Sequence, residues 1–119
     1  MTIMKFGEFV REAREKLKEG DKKFSVRQVA LRVGIEPAYL SKIERGEFSP
    51  PSEETTRRLA SELGLDPDVL LAMGGKVSTD LREIILKRPR LFADLIRELK
   101  GAPNKALLRI VREVRDGDW

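Results

Sequence analysis

The chain has 119 residues, 40% of them apolar, which is enough for one small domain with a modest core and an appendage. It contains neither cysteine nor histidine, which excludes disulfide scaffolds, thiol or imidazole catalysis and almost every structural zinc site. Charge is dense, 24 Lys and Arg against 20 Asp and Glu, and the net +4 is modest for a nucleic-acid binder.

The charge is unevenly spread: Pro51 to Lys76 carries three basic and five acidic residues, whereas Met1 to Ser25 carries seven and five and Val77 to Trp119 ten and seven. An acidic middle therefore separates two mildly basic stretches. No apolar core of signal-peptide length opens the chain and no apolar run approaches a membrane span, so a soluble cytoplasmic protein with no membrane partner is expected.

In chain order, Phe6, Phe9, Val10, Ala13 and Leu17 fall on one face of a first helix that stops at Gly20. After a polar linker, Asp21 to Lys23, Ser25 is placed to cap a second helix, with Gln28 reaching back in a capping box and Val26, Val29, Ala30 and Val33 inward. Gly34 ends it. Pro37 suits the first position of a third helix, whose inner face is Tyr39, Leu40 and Ile43 and which closes at Gly46. Pro50 and Pro51 break the chain, and Ser52 caps a fourth helix lined by Thr56, Leu59, Ala60 and Leu63. Asp66 and Pro67 start a short fifth, Asp68 to Met73, before Gly74 and Gly75.

Beyond Gly75, Asp80 with Glu83 is expected to open a helix through Lys87. Pro89 starts another, and Pro103 a last one ending near Asp116. No alternation convincing enough for a strand is found, so the protein reads as all-α. Residues 1–75 make one domain and residues 76–119 a C-terminal helical hairpin.

The stretch SVRQVALRVGIEPAYLSKIERG joins its two helices through Gly34, Ile35 and Glu36 alone. So tight a turn needs a small residue where the backbones nearly touch and a glycine where φ turns positive; Ala30 and Gly34 stand in those places. Here the chain resembles the Cro-like and phage-repressor-like regulators of the XRE family, over roughly Phe6 to Met73. The most specific words are VALRVGI, YLSKIERG and LASELGL.

The resemblance implies a five-helix domain in which helix two crosses the backbone of double-stranded DNA and helix three, Glu36 to Arg45, lies in the major groove. With Tyr39, Leu40 and Ile43 inward, Pro37, Ala38, Ser41 and Lys42 face the bases, Lys42 being the best reader of a guanine. Pro37 and Ala38 depart from the glutamines or arginines common there and offer no hydrogen bonds, which leaves more to DNA shape. Phosphate contacts carry over to Ser25, Val26, Arg27, Arg45 and Ser52, with only a backbone N–H at Val26 where a glutamine is common. Glu44 matches an acidic residue that pairs with an arginine of helix one, here Arg14, and that pair is architectural. The linker between Arg14 and Ser25 is longer than in a compact member.

In the C-terminal segment, Leu91, Phe92, Leu95 and Ile96, then Leu107, Leu108 and Val111, make two amphipathic helices suited to a homodimer or to a regulatory protein partner; completion of one monomer's core is the alternative. Structural explanations suffice for Asp66, Asp68, Asp116 and Asp118, so no metal or other cofactor is expected. No serine has a base and no phosphate loop occurs, so no enzyme is expected either. The leading reading is a homodimeric repressor; an antitoxin-like or adaptor protein, with DNA binding secondary, remains open.

Overall fold

The computed structural model describes residues 5–119. Among them the chain forms eight α-helices and no strand: α1 (Phe6–Gly20), α2 (Val26–Val33), α3 (Pro37–Glu44), α4 (Glu53–Leu63), α5 (Pro67–Met73), α6 (Thr79–Lys87), α7 (Pro89–Leu99) and α8 (Asn104–Asp116). The fold is all-α, and contacts divide it into one unit up to Leu81 and a second from Arg82 to Trp119.

The first unit is built where apolar residues recur at helical spacing. Phe6 and Val10 of α1, Val29, Ala30 and Val33 of α2, Leu40 and Ile43 of α3, Leu59, Ala60 and Leu63 of α4, and Leu70 of α5 form one buried cluster. Each fully buried large side chain in it is worth about 1.5–3 kcal/mol over its exposed state. Leu17, expected on the inner face of α1, remains 37% exposed because it lies toward the helix end, beyond the cluster. Tyr39 is half-buried against the edge of the core, its ring 5.8 Å from that of Phe48.

Local chemistry explains where most helices begin and end. The hydroxyl of Ser25 accepts the N–H of Gln28 at 3.2 Å, that of Ser52 accepts the N–H of Thr55 at 3.3 Å, and Asp66 accepts the amides of Asp68 and Val69. Gly34 and Gly64 end α2 and α4 in the left-handed conformation, at φ 87° and 67°. The capping box at Ser25 is only half made. The N–H that Gln28 would receive is already donated to the carbonyl of Lys22, because the expected linker Asp21 to Lys23 tightens into a 3-10 turn, Lys22–Phe24. That turn places Phe24 against the core and its carbonyl toward α1.

One expectation about the middle of the chain is corrected. Ser78, and not Asp80, caps α6: its hydroxyl accepts the N–H of Leu81 at 3.2 Å and the residue is fully buried. The first unit also extends past Gly75. Lys76 donates its ammonium to the carbonyl of Pro51 at 2.9 Å, and the Thr79 hydroxyl donates to Glu53 Oε2 at 2.9 Å, so this strap belongs to the helix-turn-helix unit.

The second unit differs in kind. None of its residues is buried, and α7 and α8 lack the extensive close backbone approach that α4 makes with α5. Pro103 is the residue before α8 and not its first. Leu91, Leu95, Ile96, Leu108 and Val111 are 41–66% exposed, and Phe92 and Leu107 half-buried. Trp119 donates its indole N–H to the carbonyl of Val114 at 3.1 Å, closing the end of α8 on itself.

Candidate nucleic-acid interface

The candidate site starts at the turn between α2 and α3. Ala30 is fully buried there, and its carbonyl accepts the amides of both Gly34, at 2.9 Å, and Ile35, at 3.0 Å. This double acceptor needs the positive φ of Gly34 and turns the chain within three residues into α3. Leu40 and Ile43 then hold the inner side of α3 in the core, which leaves the opposite side free by helical geometry.

That outer side carries the four residues expected to read bases. Ala38 and Lys42 are exposed, while Pro37, in the first turn, and Ser41 are half-buried. Lys42 is not a loose cation: its ammonium lies 5.2 Å from the centre of the Phe48 ring. Such a contact limits where the long side chain can swing, and so lowers the ordering cost of placing it in a groove. Ser41 accepts a hydrogen bond from Arg45 at 2.6 Å, and Arg45 also reaches Glu47 at 2.9 Å. Ser41 and Arg45 thus form a linked pair, half of it already saturated by Glu47.

Around this helix lie the groups expected at phosphates. Ser25 spends its hydroxyl on the cap of α2, and the amides of Val26 and Arg27 take no backbone partner among the described residues. Arg27 is exposed and makes no ion pair there, and Ser52 is exposed at the start of α4. Val26, Ser41 and Arg45 meet Arg11 and Glu15 of α1 around a cleft of about 200 Å³ whose floor is the Arg14–Glu44 pair. The structure therefore brings Val26, Ser41 and Arg45 together, while Ser52 belongs to a separate helix start.

Beneath the cleft, Arg14 Nε and Nη2 donate to the two oxygens of Glu44 at 2.8 and 2.9 Å, and Nη1 donates to the Phe24 carbonyl at 3.1 Å. Both side chains are about 95% buried. The hydrogen bond to Glu44 outweighs the burial penalty and holds the Arg14 pKa above its ordinary value, so the guanidinium stays charged. Because Glu44 is the last residue of α3 and Arg14 lies in α1, the pair fixes the pitch of α3 on the domain.

Three further residues shape the site without having been singled out by the sequence reading. Gly7 is buried where α1 meets the end of α3, and a β-carbon there would strike the carbonyl oxygens of Ile43 and Glu44. An isolated glycine in a helical pattern is the only local signal of such an approach. Arg11 lines the cleft but is tied to Glu15 at 3.2 Å, and Glu47 opposes Arg45; neither breaks helical periodicity, so neither carries a signal.

With fold and site geometry in place, a family profile described as a helix-turn-helix domain matches residues 7–75, more than half of the chain. The chain belongs to the helix-turn-helix family, of the XRE-like kind. An uncharacterized HTH-type transcriptional regulator of Bacillus subtilis (strain 168), RghRB, is 34% identical over 79 residues, which are 66% of this chain and 53% of that protein. The chain thus matches about half the length of this relative. No solved structure gives a significant match. No helix among the described residues is long and apolar enough to cross a membrane, and no group of three or more acidic residues is arranged to hold a metal ion.

Proposed function

We propose that this protein is a homodimeric, sequence-specific regulator of transcription that acts by binding duplex DNA and not by catalysis. The observation that carries the reading is the α2–α3 turn. Ala30 and Gly34 hold α3 against α2, Ala38 and Lys42 are exposed on it, and the amides of Val26 and Arg27 take no backbone partner among the described residues. The major groove of B-DNA admits one helix at that depth, and amides at a helix N-terminus meet phosphates. A bound α3 occupies the groove against other proteins, which makes repression by occlusion the simplest output.

Dimerisation is supported by the second unit. Several of its apolar residues on α7 and α8 are exposed, and two copies would bury them while presenting two α3 helices to paired half-sites. The same exposed face favours a second reading, in which a different protein seats there and DNA binding only autoregulates. Sedimentation of the purified chain separates the two, a dimer supporting the first and a stable monomer the second.

Selection of bound sequences from a random duplex library tests the main reading. An inverted repeat with half-sites about 34 Å apart is the expected result. No enriched motif at near-physiological salt overturns it, since phosphate binding alone enriches no sequence.

A further inference from the structure

We propose that the outer face of α8 is a second contact for duplex DNA, one that grips the phosphate backbone without regard to sequence through Lys105, Arg109 and Arg112. The proposal rests on the DNA-binding reading above and extends it to a unit outside the helix-turn-helix.

The distribution of charge over the two units is the starting point. Up to Leu81 the chain carries fourteen basic and fourteen acidic residues; from Arg82 onward it carries ten and six, so the whole net +4 lies in the second unit. Ion pairs occur in both units, Arg97 with Asp94 and Arg115 with Asp116 in the second. Six of the seven arginines of the first unit, all but Arg27, sit in ion pairs. On α8, Lys105, Arg109 and Arg112 are exposed and none of them has an acidic partner among the described residues.

These three cations stand at i, i+4 and i+7, on one face, and with Glu113 they line a shallow groove of about 540 Å³. The apolar residues Leu107, Val111 and Val114 fall on the opposite side of the same helix by the 3.6-residue repeat. Such a stripe is unfavourable for the free helix. Like charges three and four residues apart repel, and Lys105 lies in the first turn, where the helix dipole disfavours a cation. An anion laid along the stripe removes both penalties.

Length and charge decide which anion. From Lys105 to Arg112 the helix rises about 10 Å, the axial length of about three nucleotides of one DNA strand. Affinity for DNA derives largely from phosphate neutralisation, and cations outside the helix-turn-helix unit add to what that unit supplies. An anionic membrane surface would need the apolar face of α8 as well as the basic one, and the dimer covers that face.

The test uses the 119-residue chain carrying Lys105→Gln, Arg109→Gln and Arg112→Gln together, its helicity and sedimentation compared with the parent. All three side chains are exposed, so the fold should persist. Binding of a selected duplex and of an unrelated duplex is measured over a salt series. The proposal expects the slope of log affinity against log salt to shrink by about three per chain, with equal loss on both duplexes and an unchanged sequence preference. A second variant with Lys105→Arg, Arg109→Lys and Arg112→Lys retains the charges and should retain the slope.

If the parent binds DNA and the glutamine variant binds it with the same slope and affinity, the proposal is overturned while the helix-turn-helix reading stands. If the parent binds no duplex at all, both are overturned. Loss of binding to phosphatidylserine vesicles with DNA binding intact overturns the proposal and assigns the stripe to a lipid surface.

Discussion

Arg14 and Glu44 are almost wholly out of water, and each is tolerable there only because of the other. Glu44→Ala would leave a buried guanidinium holding one carbonyl, that of Phe24, and should lower stability by about 3–5 kcal/mol. Urea unfolding checks this as a lower midpoint at an unchanged slope. Replacing both partners with apolar residues of similar size should recover most of the loss, as the charge and its desolvation leave together. Gly7→Ala acts at the same junction by a different route, pushing a methyl into the backbone at the end of α3. A destabilisation of about 1–3 kcal/mol is expected from such overpacking. On the outer side of α3, Lys42→Ala should relax preference at one base position, at about 1–3 kcal/mol of discrimination, whereas Arg27→Ala should weaken all duplexes alike. Competition between single-base operator variants reads the difference. Equal behaviour of the two variants would mean that α3 does not enter the groove with Lys42 toward the bases.

The strap after α5 shows how one carboxylate helps to hold an element. Glu53, in the first turn of α4, accepts the hydroxyl of Thr79 at 2.9 Å and its amide at 3.4 Å, and also meets Arg57 at 3.2 Å. These bonds, led by the Thr79 hydroxyl, hold the Glu53 pKa below its ordinary value of 4.5. A carboxyl depressed in the folded state stabilises above its unfolded pKa and loses that contribution as pH falls through its folded one. The strap should therefore be constant near neutrality and loosen below about pH 4.5. Hydrogen exchange at Thr79 and Leu81 reports it, and Glu53→Gln should remove the pH dependence. This strap is also where sequence reading met its limit. Ser25, Ser52, Asp66, Gly34 and Pro37 announce their turns because capping and positive φ are decided within four residues. Ser78 and Asp80 are both good caps by residue type, and the burial and hydrogen bond that favour Ser78 are not written in the local sequence. Gly7 depends on how α1 meets α3, a non-local approach that periodicity does not encode. The candidate readers on α3 were legible because the core face fixes the outer one; that Ser41 and Arg45 bond each other was not.

At the scale of the whole molecule, the two units solve the problem of burial differently. Among the described residues, all that are buried belong to the unit up to Leu81, which has a closed core over five helices. The second unit has amphipathic helices of 11 and 13 residues and buries none of their side chains. Helices of that length are marginal in water unless an apolar face is covered, so a lone copy of this unit lacks the usual source of helical stability. If its cover is a second copy, helix content and association are one equilibrium, and dilution must act on both. Far-ultraviolet circular dichroism over a dilution series should lose the signal of α7 and α8 as dimers dissociate, while the thermal transition of the first unit stays where it was. Ile96→Asp with Val111→Asp should produce the diluted state at any concentration, because a charge on each helix makes the face unfit for burial. The same variant should still select the half-site sequence, with an affinity for the paired site no better than for a single half-site. Helix content that is independent of concentration in the parent, in a sedimenting monomer, would instead show α7 and α8 standing without a second copy.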